Sequence, residues 1–158
     1  NSTADADGNI EVRPGDRIPL IPRHTGRLVL DYDFSDRWNL GATLIVSSGS
    51  YLHGDENNAN MAGATNDEGA LISPDGTGWI PGYAAINLHG SYHVTKSIEL
   101  FARMANVLNR EYATAGFLTS NTFTPNGTFR PDPDTYTNEN AVSPAAPRAI
   151  WAGVRVRF

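Results

Sequence analysis

The sequence predicts an all-β fold in which antiparallel strands follow one another in up-and-down order. Three observations support this prediction. Five segments alternate between apolar and other residues with the period of two that is typical of a strand. Short and long connections alternate between these segments. The last segment keeps one face apolar to its final residue, Phe158, whereas the ends of soluble domains are usually loose and polar.

The first four predicted strands form two hairpins. Strands 27–34 and 38–48 flank the turn residues 35–37, and strands 82–94 and 98–108 flank the turn residues 95–97. The alternation breaks after residue 105, where Asn106, Asn109 and Arg110 predict a β-bulge.

The fifth predicted strand, 148–158, ends the chain. Its apolar face consists of Ile150, Ala152, Val154, Val156 and Phe158. This pattern resembles the C-terminal insertion signal of bacterial outer-membrane barrels, so we expect the barrel-assembly machinery to bind it. The pattern also fits the edge strand of a soluble sandwich.

Three segments show no period and are expected to be long loops without strands: 1–26, 48–79 and 113–147. Tight turns that alternate with long loops are typical of outer-membrane barrels, whose short turns are periplasmic and whose long loops are external. The strands are about 8–12 residues long, enough to cross a bilayer when tilted. The sequence therefore predicts an antiparallel up-and-down transmembrane β-barrel.

Five strands are too few to close such a barrel, since about eight is the common minimum. We therefore expect residues 1–158 to be the C-terminal part of one larger barrel domain. The chain begins Asn1-Ser2-Thr3 with no apolar leader, which fits the tail of a longer protein.

The apolar side chains of the strands are expected to face lipid. They are Leu28, Leu30, Leu40, Leu44, Ile86, Leu88, Ile98, Leu100 and Met104. Aromatic residues on the same face lie near the predicted periplasmic strand ends, where an interfacial girdle belongs. These are Tyr32, Phe34, Trp38 and Tyr92.

Composition excludes several classes of partner and site. The net charge of −5 and the pI of about 5.2 argue against nucleic acid. The absence of cysteine excludes disulfides and thiolate metal sites. No apolar run reaches the roughly 18 residues of a transmembrane helix.

Four segments resemble the C-terminal part of TonB-dependent receptors: 15–24, 36–58, 79–116 and 143–158. The most specific parts are the unit from Pro81 to Ala113 and the terminal strand. The resemblance implies the last strands of a 22-stranded outer-membrane barrel with a plugged lumen. Such receptors import scarce ligands such as ferric siderophores or cobalamin.

The resemblance also implies a set of partners. They are outer-membrane lipid, the N-terminal plug domain of the same protein, an inner-membrane energy-coupling protein and an external ligand, for which we expect a ferric siderophore. The plug and the coupling segment belong to the N-terminus of the family and are not in this sequence. Two alternatives stay open: a passive porin-type barrel, and a soluble secreted β-sandwich that binds carbohydrate.

Charged residues are expected on the opposite, lumenal face, where they can pair across strands or contact the plug. They are Asp31, Glu99, Arg103, Arg155 and Arg157. His89 and His93 share this face, but four strand residues span about 13 Å, too far to share one metal ion.

The loop residues 55–58 (DENN) carry oxygens that calcium could use, but their spacing matches no known calcium loop. Together with Asp67 and Glu68, they are interpreted as an acidic, solvated external loop. No metal site, cofactor or catalytic arrangement is predicted, so we do not expect an enzyme.

Overall fold

A computed structural model of the chain describes residues 9–65, 69–74, 76 and 78–158. Asp67, Glu68 and the first eight residues of the predicted loop 1–26 lie outside these ranges. Among the described residues, no helix has the length and apolar character needed to cross a membrane.

The described residues form strands and one short 3₁₀ turn, Pro133–Thr135. The strands are β1 (Thr25–Ser35), β2 (Trp38–Ser47), β3 (Ser50–Tyr51), β4 (Ala64–Thr65), β5 (Leu71–Ser73), β6 (Trp79–Ile80), β7 (Tyr83–His93), β8 (Ile98–Ala105), β9 (Ala113–Asn121), β10 (Thr137–Pro144) and β11 (Ala149–Val156). The chain divides into two compact units. The sheet unit comprises residues 24–48, 82–112 and 145–158, and the loop unit comprises residues 1–23, 49–81 and 113–144.

The sheet unit is one five-stranded sheet of order β1-β2-β7-β8-β11, in which every neighbouring pair is antiparallel. These are the five strands that the alternation predicts. The prediction of an all-β, up-and-down antiparallel fold is therefore confirmed.

The register aligns apolar residues into rows across the strands. In one row, Leu30 pairs with Ala42, Ala42 with Leu88, Leu88 with Met104, and Met104 with Ile150. Leu30 is 60% exposed and Ile150 is 64% exposed, so no second layer covers this row. The opposite face is the more buried one, with Ala85 and Thr43 at 2% and 9% exposure.

The break predicted at Asn106 is present: the Val107 N–H donates a 2.9 Å hydrogen bond to the Ile86 carbonyl, one residue out of the register that pairs Met104 with Leu88, as at a β-bulge. Strand β8 ends at Ala105, and its pairing with both neighbours runs without a shift. Asn106 is buried and turns the chain at a φ of 48°, a conformation that asparagine tolerates. Its side chain accepts a hydrogen bond from the Arg110 N–H and donates one to the Arg110 carbonyl, each at 2.9 Å. The sheet also has a register shift in β1 at Phe34.

The expectation that residues 48–79 and 113–147 lack strands is also wrong. β9 and β10 form a hairpin whose paired residues run from Ala113 to Asn121. Two short ladders, β3 with β6 and β4 with β5, lie in the other segment. The loop unit has a core of its own, in which Leu52 and Ser73 are fully buried. The strands of these segments do not place apolar residues on one face and polar residues on the other. Their sequences therefore lack the period of two.

Candidate functional site

The polar face of the sheet is the candidate site, and one row of residues crosses all five strands. Its members, from β1 to β11, are Asp31, Gly41, His89, Arg103 and Trp151. The His89 Nε2 atom lies 2.7 Å from the Asp31 Oδ1 atom, although β2 runs between the two strands that carry them. The pair spans β2 because the residue beneath it, Gly41, has no side chain.

Gly41 therefore makes the His89–Asp31 contact possible. A Cβ atom at position 41 would overlap the His89 ring and would lie 2.5 Å from Asp31 Oδ1. We expect Gly41→Val to lower the free energy of unfolding of the full-length protein by about 1–3 kcal/mol, the usual cost of overpacking. The measurement is a folding titration in lipid vesicles.

The control for Gly41→Val is the same substitution in a His89→Ala background. Because the ring is then absent, the cost should be smaller. An equal cost in both backgrounds would contradict the role given to Gly41.

Arg103 differs from the four other charges predicted for this face. It is exposed and forms no ion pair with any described residue. Its register neighbour Trp151 is 54% exposed, which is unusual for a tryptophan on a polar face. Together with Asn87 and His89 they line a cavity of about 240 Å³. This part of the face can accept an anionic group beside an apolar one.

The remaining predicted charges form a cluster at the β8–β11 end of the face. Glu99 is 9% exposed and accepts a 2.7 Å hydrogen bond from its cross-strand partner Arg155. Arg157 lies 3.7 Å from the same carboxylate. Arg155 also lies over the Phe101 ring, 5.7 Å from its centroid. The charges of Glu99 and Arg155 therefore compensate each other within the sheet.

No group of three or more histidine, cysteine, aspartate or glutamate side chains in the described ranges is arranged to hold a metal ion. The His89 ring contacts Asp31, and His93 is the register partner of Glu99.

The aromatic residues of the apolar face lie next to the turn at 36–37. Trp38 and Tyr92 are register partners whose ring centroids are 4.5 Å apart. Tyr32 and Phe34 meet edge to face at 4.6 Å. All but Tyr92 are at least 49% exposed, so they form an uncovered aromatic belt at one end of the sheet.

In the loop unit, Asp55 is the one carboxylate of the described residues that is fully enclosed, at 1% exposure. Its Oδ1 atom accepts a 2.9 Å hydrogen bond from the Asn60 N–H. Burial raises the pKa of the Asp55 carboxyl, and the nearby Asn60 and Ala59 N–H groups lower it in part. The interpretation of residues 55–58 as solvated loop is therefore wrong for Asp55, because the sequence shows that this residue is acidic but not that it is buried.

Sequence reasoning missed the roles of three residues. The alternation gives Gly41 and Trp151 no role of their own, and it marks Asn106 only as a break in the pattern. A usable indication was present for Gly41, since a glycine inside a strand often marks a close approach of neighbouring groups.

Comparison with known proteins agrees with this geometry. The family model described as "TonB dependent receptor-like, beta-barrel" matches residues 2–107. A search of the curated proteins by sequence found no match.

Several solved structures share the fold. The siderophore receptor PiuA from Acinetobacter baumannii has a TM-score of 0.58 at 16% identity, covering 89% of this chain and 14% of that one. A mutant ferric enterobactin receptor (PfeA) from Pseudomonas aeruginosa, in complex with enterobactin, has a TM-score of 0.55 at 16% identity, covering 87% and 17%. The copper transporter OprC has a TM-score of 0.51 at 20% identity, covering 90% and 18%.

The chain thus spans less than a fifth of the length of each of these structures. At these identities the likeness shows the fold alone. The family model, in contrast, covers about two thirds of the sequence. The chain therefore belongs to the TonB-dependent receptor β-barrel family.

Proposed function

We propose that this chain is the C-terminal barrel wall of an active transporter in the bacterial outer membrane, which imports a ferric siderophore. The family membership carries the proposal. In the proposed mechanism, external segments capture the ligand and movement of the plug opens a path along the polar face of the sheet. Residues 1–158 supply barrel wall, external segments and the C-terminal assembly signal.

The two faces of the sheet support a location in a membrane. The apolar rows are exposed, although exposed apolar patches on soluble monomers rarely exceed a few hundred Å². The aromatic belt at one end fits the interfacial girdle of outer-membrane barrels. We therefore assign the apolar rows to lipid and the row from Asp31 to Trp151 to the lumen.

The polar face also suggests where the plug domain binds. Glu99 and Arg155 already compensate each other, whereas Arg103 has no ion pair with a described residue and lies beside the exposed Trp151. We infer that Arg103 and Trp151, more than Arg155 and Arg157, contact the plug. A carboxylate next to an apolar side chain would suit this position.

The identity of the imported ligand is a more specific part of the proposal. PiuA is a siderophore receptor and PfeA is a ferric enterobactin receptor, which supports a ferric siderophore as the ligand. OprC is a copper transporter, so copper is the second ligand to test.

The test uses the full-length receptor in its own bacterium. Cells with and without the receptor gene should be compared for uptake of iron-labelled catecholate and hydroxamate siderophores and of copper ions. We expect uptake of one ferric siderophore to require both the receptor and an intact inner-membrane energy-coupling complex.

Two results would contradict the proposal. Receptor-dependent uptake that persists without the coupling complex would indicate a passive porin. A full-length protein that stays in the soluble fraction without detergent would indicate the β-sandwich alternative.

A further inference from the structure

Asp55 has one carboxylate oxygen that the fold leaves without a partner. The residue is 1% exposed, and its Oδ1 atom accepts the Asn60 N–H. Its Oδ2 atom is enclosed and accepts no hydrogen bond. A buried carboxylate oxygen is costly unless it is hydrogen-bonded, protonated or bound to a cation.

A second oxygen lies close to the same place. Gly78 has a φ of 97°, and a Cβ atom built on it would lie 2.7 Å from Asp55 Oδ2 and 2.8 Å from the Asn60 main-chain oxygen. The two oxygens therefore flank the Gly78 backbone together. A carbonyl oxygen has two lone pairs and can bind an ion in addition to accepting a hydrogen bond.

Arg17 contacts this turn through its main chain, since its N–H donates to Asn58 Oδ1, but its guanidinium lies over the Tyr51 and Trp79 rings and donates to the Gly49 carbonyl rather than to Asp55. Residues 38–95 contain no lysine and no arginine, but they contain Asp55, Glu56, Asp67, Glu68 and Asp75. Glu56 is itself engaged, since its Oε1 atom lies 2.9 Å from both the Gly54 nitrogen and the His53 Nδ1 atom. The Asn60 side chain is held as well, because its Oδ1 atom accepts a 2.9 Å hydrogen bond from Asn138.

We propose that Asp55 Oδ2 and the Asn60 carbonyl oxygen bind a calcium ion, which fixes the turn at residues 55–60 beside Gly78. Calcium prefers oxygen ligands and accepts carboxylates, main-chain carbonyls and water together. Its site has a single carboxylate, so we expect a dissociation constant of about 10⁻⁴–10⁻³ M, the range of extracellular calcium modules. The site does not depend on which ligand the receptor imports.

The test compares three full-length receptors in detergent: wild type, Asp55→Asn and the matched control Glu56→Gln. After treatment with a chelator, thermal unfolding is followed at pH 7.5 with and without 5 mM calcium chloride, about five to fifty times the expected dissociation constant. We expect calcium to raise the melting temperature of the wild type and of Glu56→Gln by about 2–5 °C. Asp55→Asn should lose this response, and equilibrium dialysis should show that it binds one calcium ion fewer than the wild type.

A second measurement needs only the wild type, in case Asp55→Asn does not fold. Digestion with a glutamate-specific protease, followed by mass spectrometry, reports cleavage after Glu56. We expect calcium to slow this cleavage several-fold relative to magnesium at the same concentration.

Unchanged cleavage and an unchanged melting temperature with calcium would overturn the proposal. An Asp55→Asn variant that responds like the wild type would do the same. A third contrary result would be a wild type whose stability does not respond to calcium but falls as the pH rises through the raised pKa of Asp55. The stability of Asp55→Asn would then stay constant over the same pH range. A proton rather than a cation would then occupy the position.

Discussion

Replacing Leu88 with arginine in the full-length receptor is expected to lower the free energy of unfolding by about 2–4 kcal/mol in lipid vesicles. Leu88 lies in the middle of β7, and in its row Ala42 and Met104 flank it on the neighbouring strands. Its side chain is 42% exposed on a face that no other layer covers. If hydrocarbon fills that space, the guanidinium group must be desolvated near the bilayer midplane. A denaturant titration of folding into vesicles measures the cost.

The matched control is Ser91→Arg, on the same strand but on the polar face. Ser91 pairs with Asn39 and Phe101, and its side chain points toward the proposed lumen, where water hydrates a charge. We expect this variant to fall within about 0.5 kcal/mol of the wild type, as do most surface substitutions. Equal costs for the two arginines would remove the distinction between a lipid face and a lumenal face.

The sheet could be predicted from the sequence because the patterns that indicate it lie within each strand and each short turn. In each of the five strands, the period of two alone separates an apolar face from a polar one. The turns at 35–37 and 95–97 are short enough to require antiparallel neighbours. The structure adds the register, which places Leu30, Leu88 and Ile150 in one row.

The β9–β10 hairpin could not be predicted because its contacts are distant in sequence. A Cβ atom at Gly116 in β9 would lie 2.6 Å from the Ala141 carbonyl oxygen and 2.7 Å from Leu52 Cδ2. Neither contact leaves a periodic pattern in the hairpin itself. Its strands carry threonine, asparagine and serine, which are typical of loops.

Contacts between residues distant in sequence also limit what could be predicted about the polar face. The alternation placed Asp31 and His89 on one face, but they are 58 residues apart, and their 2.7 Å contact depends on the register of three strands. It also depends on a glycine at position 41 rather than a larger residue. A single sequence specifies the face of a residue but not its cross-strand neighbour.

Deleting Phe158 is expected to reduce the amount of full-length receptor in the outer membrane several-fold. Phe158 is fully exposed and lies beyond the end of β11, so its side chain adds nothing to the packing of this sheet. It continues the apolar face of Val154 and Val156 to the last residue. We therefore expect the loss to come from poorer binding by the barrel-assembly machinery, and not from a less stable sheet.

Two measurements separate assembly from stability. Quantitative immunoblots of outer-membrane fractions report abundance, and unfolding of the purified receptor in detergent should differ from wild type by less than about 0.5 kcal/mol. Arg157→Ala is the matched control on the other face, where Arg157 lies 3.7 Å from Glu99. It should assemble normally, because Glu99 keeps its shorter 2.7 Å ion pair with Arg155. Normal abundance after deletion of Phe158, or an equal loss with Arg157→Ala, would show that the terminal apolar face is not what the assembly machinery binds.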